Sequence, residues 1–430
     1  LDGDVLVSAT SVGGAYARLD YVQASVGEGI GSQAQVIVNG DMTIAAQSTQ
    51  GSATASFYSA FASAGSTSAQ ASIAIMGDLT VQADGMNYAY GYIDYLNASA
   101  YEPEGQSQLL IDGDVTAQAT AMGAEVSAET AGSFNATASA GLDWFSAYVG
   151  HGADGGDALL DINGSIAVRA VAADMAYAWS GGGVYVYGGA DGAATVHVAG
   201  DYEVSAEVVA VYATDDIEQV LPLGSNLYAS ASLYDISATV RDSWDGSMAN
   251  GGQAVFDIGG DVTVSATSPG DAYAWLWYVY AEVNADALEL VADDAATDEN
   301  EQELQGAQAH VNIGGDVLVQ ALAGTGSGTA SMTTVAAWAS GTNSVADVNI
   351  GGGVTVTAEG DTYAQAWNGG FAAGAYDVGA QASVTVDGYL TIVATSDAGL
   401  ANASLGSSST SATAAVQAWA DSSNSVANID

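Results

Sequence analysis

Apolar and polar residues alternate around a glycine that recurs through the chain, at Gly3, Gly40, Gly77, Gly113, Gly164, Gly200, Gly260, Gly315, Gly352 and Gly388. With that glycine as zero, position −4 is Val36, Ile73, Leu109, Leu160, Val196, Phe256, Val311, Val348 and Val384. Position −2 is Val38, Ile75, Ile111, Ile162, Val198, Ile258, Ile313, Ile350 and Val386. Positions +2 and +4 are mostly Val, Leu or Ile, as in Val262 and Val264 or Leu390 and Ile392, and +6 is Ala from Ala9 to Ala394. All of these offsets are even. Side chains on a strand alternate faces, so the even set shares one buried face and the odd set points outward. The glycine then lies on the inward side, in the middle of a long strand or at a bend between two short ones. Helix is set aside, because no 3.6-residue period accompanies the β-branched residues and Gly.

Six of the nine intervals between these glycines are 36 or 37 residues, and the others are 51, 60 and 55. A fixed period of this size marks a chain built by stacking one unit on the next. The expected fold is all-β: a single parallel β-solenoid, or β-helix, over residues 1–430. It has about ten 36–37-residue repeats and three loop insertions, at approximately 130–150, 214–250 and 282–306. Thirty-seven residues fit one wide coil or two ordinary ones, and the pattern leaves that open. A β-sandwich array is the runner-up, but it calls for more varied strands and a longer period.

A second strand is expected near +12. Tyr16, Tyr90, Tyr177 and Tyr273 stand at +13 in repeats one, three, five and seven, each between small residues, and Ala53, Val126, Ala213, Gly328 and Ala401 hold that offset in the even-numbered repeats. One reading is a large/small alternation in which Tyr points outward, toward an associating neighbour; chance combined with β propensity is the other. The chain starts at Leu1 without a signal-peptide pattern, which suggests a processed product or a piece of something longer. Its first residues, Leu1 to Val5, lack the −4/−2 half of a repeat, and its last, Val426 to Ile429, resemble that half. These ends are expected to meet in a head-to-tail contact that does not close, the geometry of fibres.

Charge narrows the partners. Lys and Arg total 3 against 50 Asp and Glu, a formal net charge of −47. Nothing is available to neutralise phosphates, so nucleic acid is excluded and anionic membrane surfaces are disfavoured. Cys is absent, and no apolar run is long enough to span a bilayer as a helix. The mean hydropathy of +0.20 with so few cations is unusual for a freely soluble monomer.

Seven of the glycines are followed by Asp: Asp4, Asp41, Asp78, Asp114, Asp201, Asp261 and Asp316. Stacked at +1 they would repel one another unless they bound hard cations such as Ca2+. Alternatively each Asp serves a bend by bonding to backbone. A further acidic run, Asp293 to Glu303, falls in the third insertion. His151, His197 and His310 show no ligand spacing, and nucleophile elbows, Cys and Lys are absent. The Asn97, Asn135, Asn163 and Asn402 sequons are weak matches for glycosylation. Aromatic clusters at Tyr88–Tyr95, Tyr185/Tyr187 and Trp275–Tyr280 are candidates for contact, carbohydrate stacking included.

Segments such as Gly260-Asp261-Val262-Thr263-Val264-Ser265-Ala266-Thr267 and Gly352-Gly353-Val354-Thr355-Val356-Thr357-Ala358 resemble the repeats of filamentous-haemagglutinin-like and other giant repetitive bacterial surface adhesins. The resemblance implies a parallel β-helix, export to the cell surface, and a role in adhesion, biofilm or fibre formation. The expected function is a non-enzymatic extracellular structural protein whose subunits stack head to tail into a surface or matrix filament. Its partner is itself, with surface glycans or other cells beyond. The alternative is a stalk segment of a giant secreted adhesin, and a remote one is a polysaccharide-active β-helix enzyme acting in a groove of clustered acids.

Overall fold

The computed structural model describes all residues except 28, 103, 124–135, 151–154, 182–183, 190–191, 210–226, 242–250, 285–305, 342, 377, 407–415, 422–424 and 430. The described residues form 35 strands and no helix, arranged as three sheets in which every pairing is parallel. The protein is a three-sided parallel β-helix. Each 36–37-residue repeat makes one coil, which settles the choice between one coil and two. Sheet A takes the residues after the recurrent glycine (Val5–Ser11, Met42–Ser48 and on to Leu390–Ser396), and sheet C those before it (Gln33–Val38 to Val426–Ile429). Sheet B lies between them in the chain. It is crossed by one long strand in some coils, as in Ser52–Ala64 or Tyr88–Ala100, and by two short ones in others, as in Thr137–Leu142 and Phe145–Val149.

The register is one repeat per step: Val5 pairs with Met42, Met42 with Leu79, and Leu79 with Val115. The recurrent glycine sits at the bend between sheets C and A, not within a strand. Parity carries across that bend, so Val38, Met42, Ile44 and Ala46 are all buried. The core tapers. Where the first half of sheet B faces sheet A, its inward residues are Ala15, Ala53, Ala89, Ala138 and their successors. The sheets approach closely there, and a Cβ on Gly91 or Gly328 would collide with the backbone of Gln118 or Glu359. The bulk lies toward the middle of the coil, in Phe57, Ile93, Phe145, Met42 and Leu79.

The three long insertions lie at two kinds of turn, and a shorter one separates strands Leu400–Leu405 and Val416–Asp421 within sheet B; none is at the glycine bend. The first follows Val115–Ala121, and core strands Thr137–Leu142 and Phe145–Val149 occupy much of the 130–150 segment. The second is two separate segments, because strands Tyr228–Leu233 and Ile236–Arg241 run through 214–250. The third, with its acidic run, falls almost wholly outside the described residues, as does His151.

Candidate functional site on the outer face of sheet B

The Gly-Asp pairs form one file along the C-to-A bend. Oδ1 of Asp4 accepts the backbone N–H of Asp41 at 3.1 Å, Asp41 that of Asp78 at 3.0 Å, and Asp78 that of Asp114 at 2.9 Å. Asp114 accepts from Ser165 N–H at 2.8 Å, and Ser165 Oγ takes over the role, accepting from Asp201 N–H at 3.1 Å. Asp201, Asp261 and Asp316 continue it onto the N–H groups of Asp261, Asp316 and Gly353, at 2.9, 2.7 and 2.6 Å. All seven acids are thus brought together, each holding the next coil's backbone. The glycine is required because a Cβ at Gly40, Gly77, Gly113 or Gly260 would collide with that carboxylate. Among the described residues no three His, Cys, Asp or Glu are grouped closely enough to hold a metal ion.

Sheet B carries the aromatic residues. The strands of sheets A and C contain only Tyr202 and Phe256, both buried. On sheet B, Tyr16, Tyr90, Tyr177 and Tyr273 share one outward column, separated by Thr54, Ser139 and Ser230. The alternation is therefore present, but its small members differ from those read at a fixed offset. Alternate repeats reach the column at +14 or after an insertion, so +13 lands on inward positions at Ala53, Gly328 and Ala401; Val126 and Ala213 lie outside the described residues. The next outward column alternates as well: Arg18, Ser56, Tyr92, Gly141, Trp179, Ser232, Trp275, Ser331, Trp367, Ser404. Its large members all stand at +15 in odd repeats, a signal open to sequence reading.

The rings of this face gather in contacting groups. Tyr90 and Tyr92 lie 5.5 Å apart by centroid, and each lies within 6.3 Å of Trp179. Farther along, Tyr228 links Tyr177 (5.4 Å) to Tyr273 (5.2 Å), and Tyr273 touches Trp275 at 5.7 Å. Trp179 lies over Gly141, where a Cβ would come within 2.9 Å of the indole Nε1. At the mid-strand bend two successive residues face outward and add Asp94, Asp143, Tyr234, Trp277 and Tyr278. Tyr234 stacks on Trp277 at 5.8 Å. The Tyr92 hydroxyl donates to Asp143 and lies 3.2 Å from Oδ1 of Asp94. Burial raises both carboxyls above the ordinary range, the Tyr92 hydrogen bond only partly opposing it. Burial, with neighbouring Tyr88 and the two acids, pushes the Tyr90 phenol up to about 12. Arg18 pairs with Asp20 and lies 5.0 Å over the Tyr58 ring.

The histidines pair across coils of sheet C. His197 Nδ1 is 2.7 Å from Asp161, and His310 Nδ1 is 3.2 Å from Asp347, which also accepts from Ser383 at 2.6 Å. Asn97 is buried and donates to Ser146 at 2.6 Å, so its sequon is not presented to solvent. At the ends, the Leu1 ammonium donates to Ile37 O at 2.7 Å and Val5 opens sheet A. Val426 and Ile429 stand in the last strand of sheet C, paired with Gln381 and Val384, with Ile429 58% exposed. No protein-family model, curated protein or solved structure matches the chain.

Proposed function

We propose that the chain is a non-enzymatic structural protein that works outside the cell as a β-solenoid rod, lengthening by the addition of coil upon coil. The observation that carries this reading is the regularity of the stack, in which each described coil joins the next through the same three parallel sheets. The ladders keep a register of one repeat per step, as from Val5 to Met42, Leu79 and Val115, so successive coils are joined in the same way along the rod. Open edges of parallel sheets offer unpaired N–H and C=O groups to a further strand. A second copy stacked head to tail would continue the same ladders. Covering apolar residues contributes about 25 cal/mol per Å2, and three ladders of backbone hydrogen bonds add direction.

The second reading, a stalk within a giant secreted adhesin, is favoured by the aromatic face, which a purely axial fibre does not use. The scarcity of Lys and Arg leaves few sites for trypsin-like proteases and suits either extracellular role. The test is sedimentation of the purified chain beside an Ile392→Asp variant. Stacking predicts large, concentration-dependent species that the variant reduces to single rods of unchanged β content. A chain that sediments as a single rod at every concentration contradicts stacking and leaves the stalk reading.

A further inference from the structure

We infer that the outer face of sheet B around Trp179, Tyr90 and Tyr92 binds a neutral, extended, β-linked polysaccharide laid along the axis of the rod. Three observations converge on that occupant. The first is the segregation of the rings: they are spread over one outer surface of three, and outward side chains are not needed to fill a core. The second is how Trp179 lies. Its indole atoms cover Gly141, at the place a Cβ would take, while the residue stays partly exposed, and an exposed ring face stacks on the apolar C–H side of a pyranose. The third is spacing. Large side chains recur on every second coil, about 9.6 Å apart from two strand spacings of about 4.8 Å, with Ser, Thr or Gly between them. Two sugar residues of an extended β-linked chain span a similar length, so alternate sugars meet alternate rings.

Charge selects among polymers. Of the two arginines on sheet B strands, Arg18 is already paired with Asp20, and Arg241 ends the strand Ile236–Arg241, in the other half of the sheet from Trp179. Uronate-rich or sulfated glycans would therefore be repelled by Asp94 and Asp143, since Arg18, which acts on Asp94, is already engaged by Asp20. A second copy of this chain would bring the same acids against their like, within a molecule of net charge −47. A neutral glycan meets neither repulsion, and its hydroxyl groups can donate to the Asp94 and Asp143 carboxylates beside the rings. The face belongs to each single rod, so this inference stands whether or not rods join end to end.

The test is affinity electrophoresis of the full chain through gels containing hydroxyethylcellulose, glycol chitin, polygalacturonate or no polymer, with single rods confirmed by sedimentation. Retardation by a neutral β-linked polymer and not by polygalacturonate is expected. Trp179→Ala should weaken it about tenfold, the size of one well-packed aromatic contact. Gly141→Ala keeps every ring but forces Trp179 off its seat, and should weaken binding as much; Thr355→Ala on sheet A should not. Circular dichroism melts establish that each variant is folded. Free migration in both neutral polymers overturns the inference, as does retardation that the folded Trp179 and Gly141 variants retain. Ring-dependent self-association without glycan binding also overturns it, in favour of a second copy on this face.

Discussion

At Gly113 an added methyl group would run into the carboxylate of Asp78 and approach its backbone N to 2.9 Å. The recurrent glycine is thus explained by a neighbour one coil away and not by its own φ, since among the ladder glycines only Gly3 is left-handed. Gly113→Ala should destabilise the fold by about 1–3 kcal/mol, the usual cost of overpacking. Asp78→Ala removes a hydrogen bond worth about 0.5–1.5 kcal/mol and also part of the obstruction. The double variant should therefore lose less than the sum of the two, which chemical denaturation measures; strict additivity would disprove the interlock. Two other acids should answer pH in opposite senses. Asp143 is raised by burial, so its folded form holds a proton more tightly than the unfolded chain, and stability rises as pH falls through that raised value. Asp143→Asn should melt higher than the parent at neutral pH and lose the advantage in acid. Burial also pushes Asp347 up, but hydrogen bonds from His310 and Ser383, with the His310 charge, outweigh it and hold the carboxyl below its ordinary value. Its contribution is present above the ordinary carboxylate range and lost as pH falls through the lowered one. Asp347→Asn should melt lower than the parent at neutral pH, with the gap closing in acid.

Strands read well where the information is local and poorly where it passes between coils. The even-position columns of sheets A and C follow from side-chain parity alone, and Val36, Val38, Met42 and Ile44 lie inward as their spacing requires. The alternating columns of sheet B were only half legible, because turns of unequal length shift Thr54 and Thr329 by one residue relative to Tyr16 and Tyr90. Contacts such as His197 with Asp161, or Tyr92 with Asp143, join residues 36 and 51 positions apart and leave no mark in any one repeat. Size compensation between sheets is equally hidden. Tyr202 is fully buried in sheet A, where neighbouring coils have Ile166 and Val262. Ser180 makes room for it in a sheet B column otherwise held by Leu142 and Leu233, and the two hydroxyls meet at 2.6 Å. Tyr202→Phe leaves the buried Ser180 hydroxyl unpartnered and should cost about 1–3 kcal/mol. Adding Ser180→Ala should recover most of that loss, as read from denaturant midpoints; no recovery would show that the pair does not act as a unit.

For the whole molecule, the Asp file, in which Ser165 stands in at one coil, and the placement of the long insertions away from it leave the glycine corner of the rod regular from Asp4 to Gly353. Insertions can enlarge two corners without disturbing the stacking, which explains how intervals of 36 to 60 residues coexist in a single solenoid. Ten coils at about 4.8 Å each make a rod roughly 48 Å long, with one aromatic face and two polar ones. Negative-stain electron microscopy of the purified chain, with Ca2+ and with a chelator, tests the central claim most directly. The account predicts unbranched filaments many times the length of one rod. Persistence under chelation is expected if the Asp file bonds to backbone alone, whereas dissolution would assign it bound cations. Isolated short rods under both conditions would contradict the claim that these coils continue from one chain to the next.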